Sequence, residues 1–276
     1  MRRFGGSPAR TISRAVTFLV LLLVTVVMLY PFWFMASSAF RSLQQYTLGL
    51  PGLSLASWRL LLQLLPIGQQ VLNSSIVTFG SILLILILSA MGGYAFSKLS
   101  YRGSQLIFLA ILASMMIPVQ SMIIPEYTNL SYVGLINQYI GAILVYTALY
   151  TPFATFLMTM YFRGIPNDLI EAAVVDGLGY LRIFFRVMLP MAIPALATIV
   201  VLEFIQIWDD FLVGLLFLQG PDVRTITVGL ATLNAARVLN VPVMMAGSLV
   251  SAIPAIIVYL LFQRYLIAGL TMGMGK

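Results

Sequence analysis

The chain has 276 residues, 61% of them hydrophobic and 8% charged, where an ordinary soluble domain carries about 25% charged residues; water is excluded as its main solvent. With no cysteine and no histidine, disulfides, thiol chemistry, Cys/His zinc sites and any general base built on histidine are excluded too. The formal net charge of +7 is not gathered into a dense basic run interleaved with aromatics, so nucleic acid is not expected as a partner.

A hydrocarbon layer about 30 Å thick is crossed by roughly 20 apolar residues in a helix, and six segments meet that test. The first covers about residues 15–35, between Arg14 and Arg41; it exceeds the roughly 7–15 residues of a signal-peptide core and reads as a retained helix. The second covers about 71–96, with Asn73 and Ser74 at its polar start and Lys98 and Arg102 beyond its end. Residues 103–125 make the third, and the fourth starts near Asn137 after a turn around Gly134. The fifth starts near Met191 and is interrupted by Glu203, Asp209 and Asp210, and the sixth covers about 242–263.

The expected fold is therefore all-α, a polytopic membrane protein with six transmembrane helices. One permease domain, 15–264, lies between the terminal segments 1–14 and 265–276. Eleven Lys and Arg residues fall on the side of the termini and four on the other, so the positive-inside rule puts both termini in the cytoplasm.

The segment 163–190 lies on that cytoplasmic side and predicts two short helices. In the first, Pro166 sits in the first turn, Asp168 and Glu171 lie near the positive end, and Gly177 ends the helix. The second starts at Tyr180 and stops before Pro190. Too charged for lipid, they are expected to lie along the membrane face and offer Ala172, Ala173 and Leu178 to a partner. By periodicity alone the favoured reading of the segment is an amphipathic linker between two spans.

The exact residues say more. Glu171, Ala172, Ala173, Gly177, Val187, Leu189 and Pro190 stand at the spacing Glu-Ala-Ala, three residues, Gly, nine residues, aliphatic, any residue, Leu-Pro. This resembles the EAA signature of bacterial ABC-importer permeases. The resemblance implies the type I permease fold and a coupling helix docked on a separate ATPase, with Glu171, Ala172, Ala173, Asp176, Gly177, Leu178, Leu189 and Pro190 as the coupling residues.

The likeness continues through Asn73-Ser74, Gly93-Tyr94-Ala95-Phe96, Met116-Ile117-Pro118 with Pro125, Gly134 to Asn137, Phe162 to Pro166, Trp208 to Leu212 and the ending from Gln263. It is similar to the maltose-type, carbohydrate-uptake branch, in the smaller of its two permease partners. Two positions depart from that pattern: Gly179 stands where Ser or Thr often caps the second helix, and Asp209 replaces an Asn. In such relatives the glycine-rich tail, here 269–276, reaches toward the ATPase.

The resemblance implies no catalytic residue, metal or cofactor on this chain, with ATP and Mg held by the ATPase. It implies as partners a second permease, two ATPase subunits, an extracytoplasmic solute-binding protein, a carbohydrate and membrane lipid, in the cell membrane. A sugar path needs hydrogen-bonding groups and aromatic platforms, for which Gln120, Tyr127, Tyr146, Tyr150, Glu203, Gln206, Trp208 and Asp210 are the candidates. At about 100° per residue, Glu203, Gln206 and Asp210 are expected to form one polar stripe.

Interfacial belts and helix–helix hydrogen bonds are the plain alternatives for these side chains. At the level of function the alternatives are a non-sugar cargo such as a polyol or glycerol-phosphate ester, a stand-alone proton-coupled carrier using Glu203, and a purely structural membrane subunit.

Overall fold

A computed structural model describes residues 8–99, 101–235 and 240–272, with side chains for 13–99, 101–233 and 240–265. Every regular element among them is helical. The chain divides into two compact units, residues 1–65 with 237–250 and residues 66–236 with 251–276.

The first unit opens with α1, Pro8–Ala39, whose stretch Ser13–Ala39 has a mean hydropathy of 2.5. Its side chains from Val16 to Trp33 are exposed and apolar almost throughout, as a helix solvated by hydrocarbon requires. Ser42 and Gln45 then form a reciprocal capping box for the short α2, Leu43–Thr47. In α3, Ala56–Leu64, Leu61 is buried and the Ser57 hydroxyl donates to the Arg41 carbonyl at 2.6 Å.

The second unit is built on α4, Ile67–Lys98, and on its broadest packing partner, a helix further along the chain. Between the two lie α5, Ser104–Ser114, and α6, Val119–Tyr132, bent 98° from each other. The third span, expected over 103–125, is therefore broken and its second helix continues to Tyr132. Pro118 has no N–H to offer a continuing helix and pushes Ile117 out of the helical region, and Pro118 itself is extended at φ −66°, ψ 133°. The turn after α6 uses two left-handed residues, Gly134 at φ 71° and Asn137 at φ 59°.

The partner of α4 is α7, Tyr139–Arg163. Lipid tails are as apolar as leucine, so the two helices adhere by close approach and not by expelling water. Small side chains permit it. A Cβ added at Gly93 would meet the Cβ of Met158 at 2.5 Å and its backbone carbon at 2.9 Å. Ser81 and Thr159, both buried here, satisfy their hydroxyls on Val77 and Thr155 one turn earlier.

Beyond α7 lie α8, Asp168–Val175, and α9, Tyr180–Ile183, which runs through a π-helical turn, Phe184–Met188, into α10, Leu189–Met191. Two expectations change here. Pro166 precedes the first turn of α8, whose N-cap is Asn167, and Pro190 does not stop the second helix. The wide π turn keeps the proline ring off the carbonyl one turn back, and proline has no N–H for that turn to leave unpaired.

A 70° bend follows into α11, Ile193–Trp208. After it come α12, Leu212–Phe217, α13, Ile226–Ala235, and α14, Val241–Met272. The sixth helix is longer than the expected 242–263, taking in the first part of the tail; residues 273–276 lie outside the described residues. Among the described residues four unbroken helices are long and apolar enough to cross a membrane, and the number reaches six when each of the bent pairs α5–α6 and α9–α11 makes one span.

Candidate functional site

The loop after α7 ends its first helix with a Schellman motif. The Leu178 amide donates to the Ala173 carbonyl at 3.0 Å and the Gly177 amide to Val174 at 2.9 Å, with Gly177 left-handed at φ 80°. Glycine adopts that conformation at the least steric cost, which favours it at position 177. Gly179 then caps α9 with backbone alone, as no side chain reaches the first amides of that helix.

Two side chains of α4 hold this loop. The Lys98 ammonium donates to the Ile165 carbonyl at 2.6 Å and to Asn167 Oδ1 at 2.7 Å. The Tyr94 hydroxyl donates to the Tyr180 carbonyl at 3.3 Å, with its ring 5.3 Å from Phe184. On the other side the Tyr161 hydroxyl donates to Met191 at 2.8 Å. The loop is thus tied to the core pair α4–α7 at both of its helices.

The outward surface differs in one residue from expectation. Ala173 is 6% exposed and faces into the chain, whereas Glu171, Ala172 and Asp176 are exposed and Leu178 and Leu189 half-buried. Val175, 87% exposed, joins them. Pro190 is exposed at the bend.

The eight side chains proposed for a path fall into distinct settings. Tyr146 is buried, its hydroxyl donating to Asp210 Oδ1 at 2.9 Å, and its ring stacks on Tyr150 at 6.3 Å. Asp210 also accepts from the Val213 amide at 2.8 Å, capping α12. Trp208 is buried against Phe204 and its indole N–H donates to the Ser251 carbonyl at 2.9 Å. Tyr127, half-buried, meets Phe217 edge-on at 5.8 Å, while Gln120 and Gln206 are exposed.

The polar stripe does not form. Because α11 ends at Trp208, Asp210 leaves the helical register, and Glu203 is 1% exposed while Gln206 is open to the surroundings. Glu203 Oε2 has no hydrogen-bond partner among the described residues.

Two features were missed in the sequence. Asn73 ties the start of α4 to a distant loop, donating to the carbonyls of Asp222 and Arg224 at 2.9 Å each. It accepts from Gln69 at 2.9 Å and from the Tyr139 hydroxyl at 2.8 Å. Ser74 accepts from the Ile226 amide, and Asn137 from Gly220, so the connection from α12 to α13 is pinned at three points. The second is a cavity of about 250 Å³ lined by α5, α6 and α7, with Glu126 among apolar walls. Its signal was present: Glu126 is the one acidic residue between Gly103 and Tyr132.

This architecture of broken spans around a signature loop defines a transport permease. Residues 85–271 match the model of the binding-protein-dependent transport system inner membrane component family, and the chain belongs to that family. It is 34% identical over 209 residues to the diacetylchitobiose uptake system permease protein NgcG of Streptomyces coelicolor, covering 75% of this chain and 69% of that one. It is 36% identical over 201 residues to the arabinooligosaccharides transport system permease protein AraQ of Halalkalibacterium halodurans, covering 73% and 71%. In structure it is similar to a bacterial ABC transporter involved in the import of the acidic polysaccharide alginate, with a TM-score of 0.82 and 26% identity over 96% of this chain and 99% of that one.

Proposed function

We propose that this chain forms half of the translocation path of an ATP-driven importer for a sugar or oligosaccharide and is driven by a separate ATPase through the segment 163–190. The observation that carries the reading is the signature loop: it presents Glu171, Ala172, Val175 and Asp176 outward and is tied to α4 by Lys98 and Tyr94. A push on the loop is thereby delivered to the α4–α7 pair. The carbohydrate assignment draws on NgcG, AraQ and the alginate importer.

ATP and Mg belong to two partner ATPase subunits and this chain carries no cofactor; a second permease completes the path and an extracytoplasmic binding protein delivers the cargo. Both termini face the cytoplasm. Tyr127, Tyr150, Gln120 and Gln206 are the side chains with atoms free to meet a sugar. Tyr146, Trp208 and Glu203 are buried and Asp210 is half-buried and engaged by Tyr146, and a stand-alone carrier built on Glu203 would leave the tethered loop without a use.

The test is reconstitution of the whole complex with Gly177→Trp and Glu171→Lys. The first removes glycine from a left-handed position, at about 1–2 kcal/mol, and the second reverses a charge at the docking surface. Cargo uptake is expected to fall at least tenfold in both while the complex still assembles. Uptake at the wild-type rate in both variants would overturn the coupling role.

A further inference from the structure

A second cavity, of about 710 Å³, opens where α4 and α7 end and α5 begins. Its walls are mixed, apolar from Phe96, Leu99, Phe108 and Leu109 and polar from Tyr101, Ser104 and Gln105; Arg163 is the one charged residue among those lining it, and none is acidic. The Arg163 guanidinium lies over the Phe108 ring at 5.4 Å, a contact that favours its placement at the cavity. Of the cations nearby in the chain, Lys98 is already engaged by Ile165 and Asn167, and Arg102, between the lining residues Tyr101 and Gly103, is exposed.

The position of the cavity points to its occupant. It sits where the candidate spans α4 and α7 end and α5 begins, the part of a spanning helix expected to meet phospholipid headgroups, and its flank continues into Leu106, 73% exposed, and Leu109, 55% exposed, on α5. A planar guanidinium matches the oxygens of a phosphate with two parallel hydrogen bonds. Exposed leucines beside it suit an acyl chain. A soluble solute would use the first and gain nothing from the second.

We propose that this cavity binds the phosphate-bearing headgroup of an anionic phospholipid, with Arg163 as its ligand and the outer face of α5 as the seat of an acyl chain. Arg163 ends α7 and stands a few residues before Asn167, the N-cap of α8. A bound headgroup therefore braces the root of the coupling loop and makes coupling sensitive to lipid. The site does not depend on which solute is carried.

The assembled complex is prepared in nanodiscs of phosphatidylcholine with and without phosphatidylglycerol, and retained phospholipid is counted by native mass spectrometry after extraction. Wild type is expected to retain phosphatidylglycerol about tenfold better than Arg163→Gln, the effect of losing a charge-assisted hydrogen-bonded pair, and Arg163→Lys is expected to fall between them. If Arg163→Gln fails to assemble, Leu106→Asp, which places a carboxylate beside the seat of the chain, is expected to give the same loss. Equal retention in wild type and variants overturns the proposal. So does displacement of the lipid by millimolar inorganic phosphate, which would mark the cavity as a site for the free anion.

Discussion

At Asn73 the amide is used to its full capacity: two donated and two accepted hydrogen bonds, with the side chain entirely buried. Asn73→Ala leaves the carbonyls of Asp222 and Arg224 and the Tyr139 hydroxyl without this partner, and each buried group so abandoned costs about 1–3 kcal/mol. We expect the purified complex to lose on the order of 3 kcal/mol, read as a lower thermal midpoint in detergent; an unchanged midpoint would show that the hub is slack. The sequence marked Asn73 as the polar start of a span, but the two carbonyls it donates to lie 149 and 151 residues away, beyond the reach of any local pattern. Asp210 was misread for the opposite reason. A helical period was extended past Trp208, although an aspartate three residues before Val213 is itself a cap signal for α12.

Among the elements, the α4–α7 pair is where glycine decides the packing, and two positions separate a hard contact from a soft one. At Gly93 an added Cβ meets the Cβ and backbone of Met158, at 2.5 and 2.9 Å; at Gly80 it meets the tip of the Ile143 side chain at 2.8 Å. A side-chain tip changes rotamer and a backbone does not, so Gly80→Ala is expected to be nearly neutral. Gly93→Ala is expected to destabilise by roughly 1–3 kcal/mol through overpacking. Adding Met158→Ala should not rescue Gly93→Ala, because the atoms in the way remain in alanine. A full rescue would mean that the helices meet through side chains alone. Hydropathy located both helices to within a few residues, but breaks inside uncharged runs escape it. The 98° bend between α5 and α6 was legible only in Pro118, and the π turn before Pro190 had no signal beyond the proline itself.

For the molecule as a whole, four unbroken helices among the described residues and two bent pairs make six crossings when each pair spans, and a bent pair can also enter and leave on one side. The pair α9–α11 decides it. Asp176, just after α8, and Asp222, between α12 and α13, are both exposed and lie on either side of that pair in the chain. If it crosses the bilayer they face opposite compartments, and if it is re-entrant they face the same one. The charge count predicts that the side of Asp176 is cytoplasmic, because eleven of the fifteen Lys and Arg residues are expected on that side. The chain contains no cysteine, so a single introduced thiol reports alone. In right-side-out membrane vesicles an impermeant maleimide is expected to label Asp222→Cys at once and Asp176→Cys only after the membrane is opened. The reverse order would invert the topology and put the signature loop where no ATPase can reach it, and labelling of both thiols from one side would reduce α9–α11 to a re-entrant hairpin.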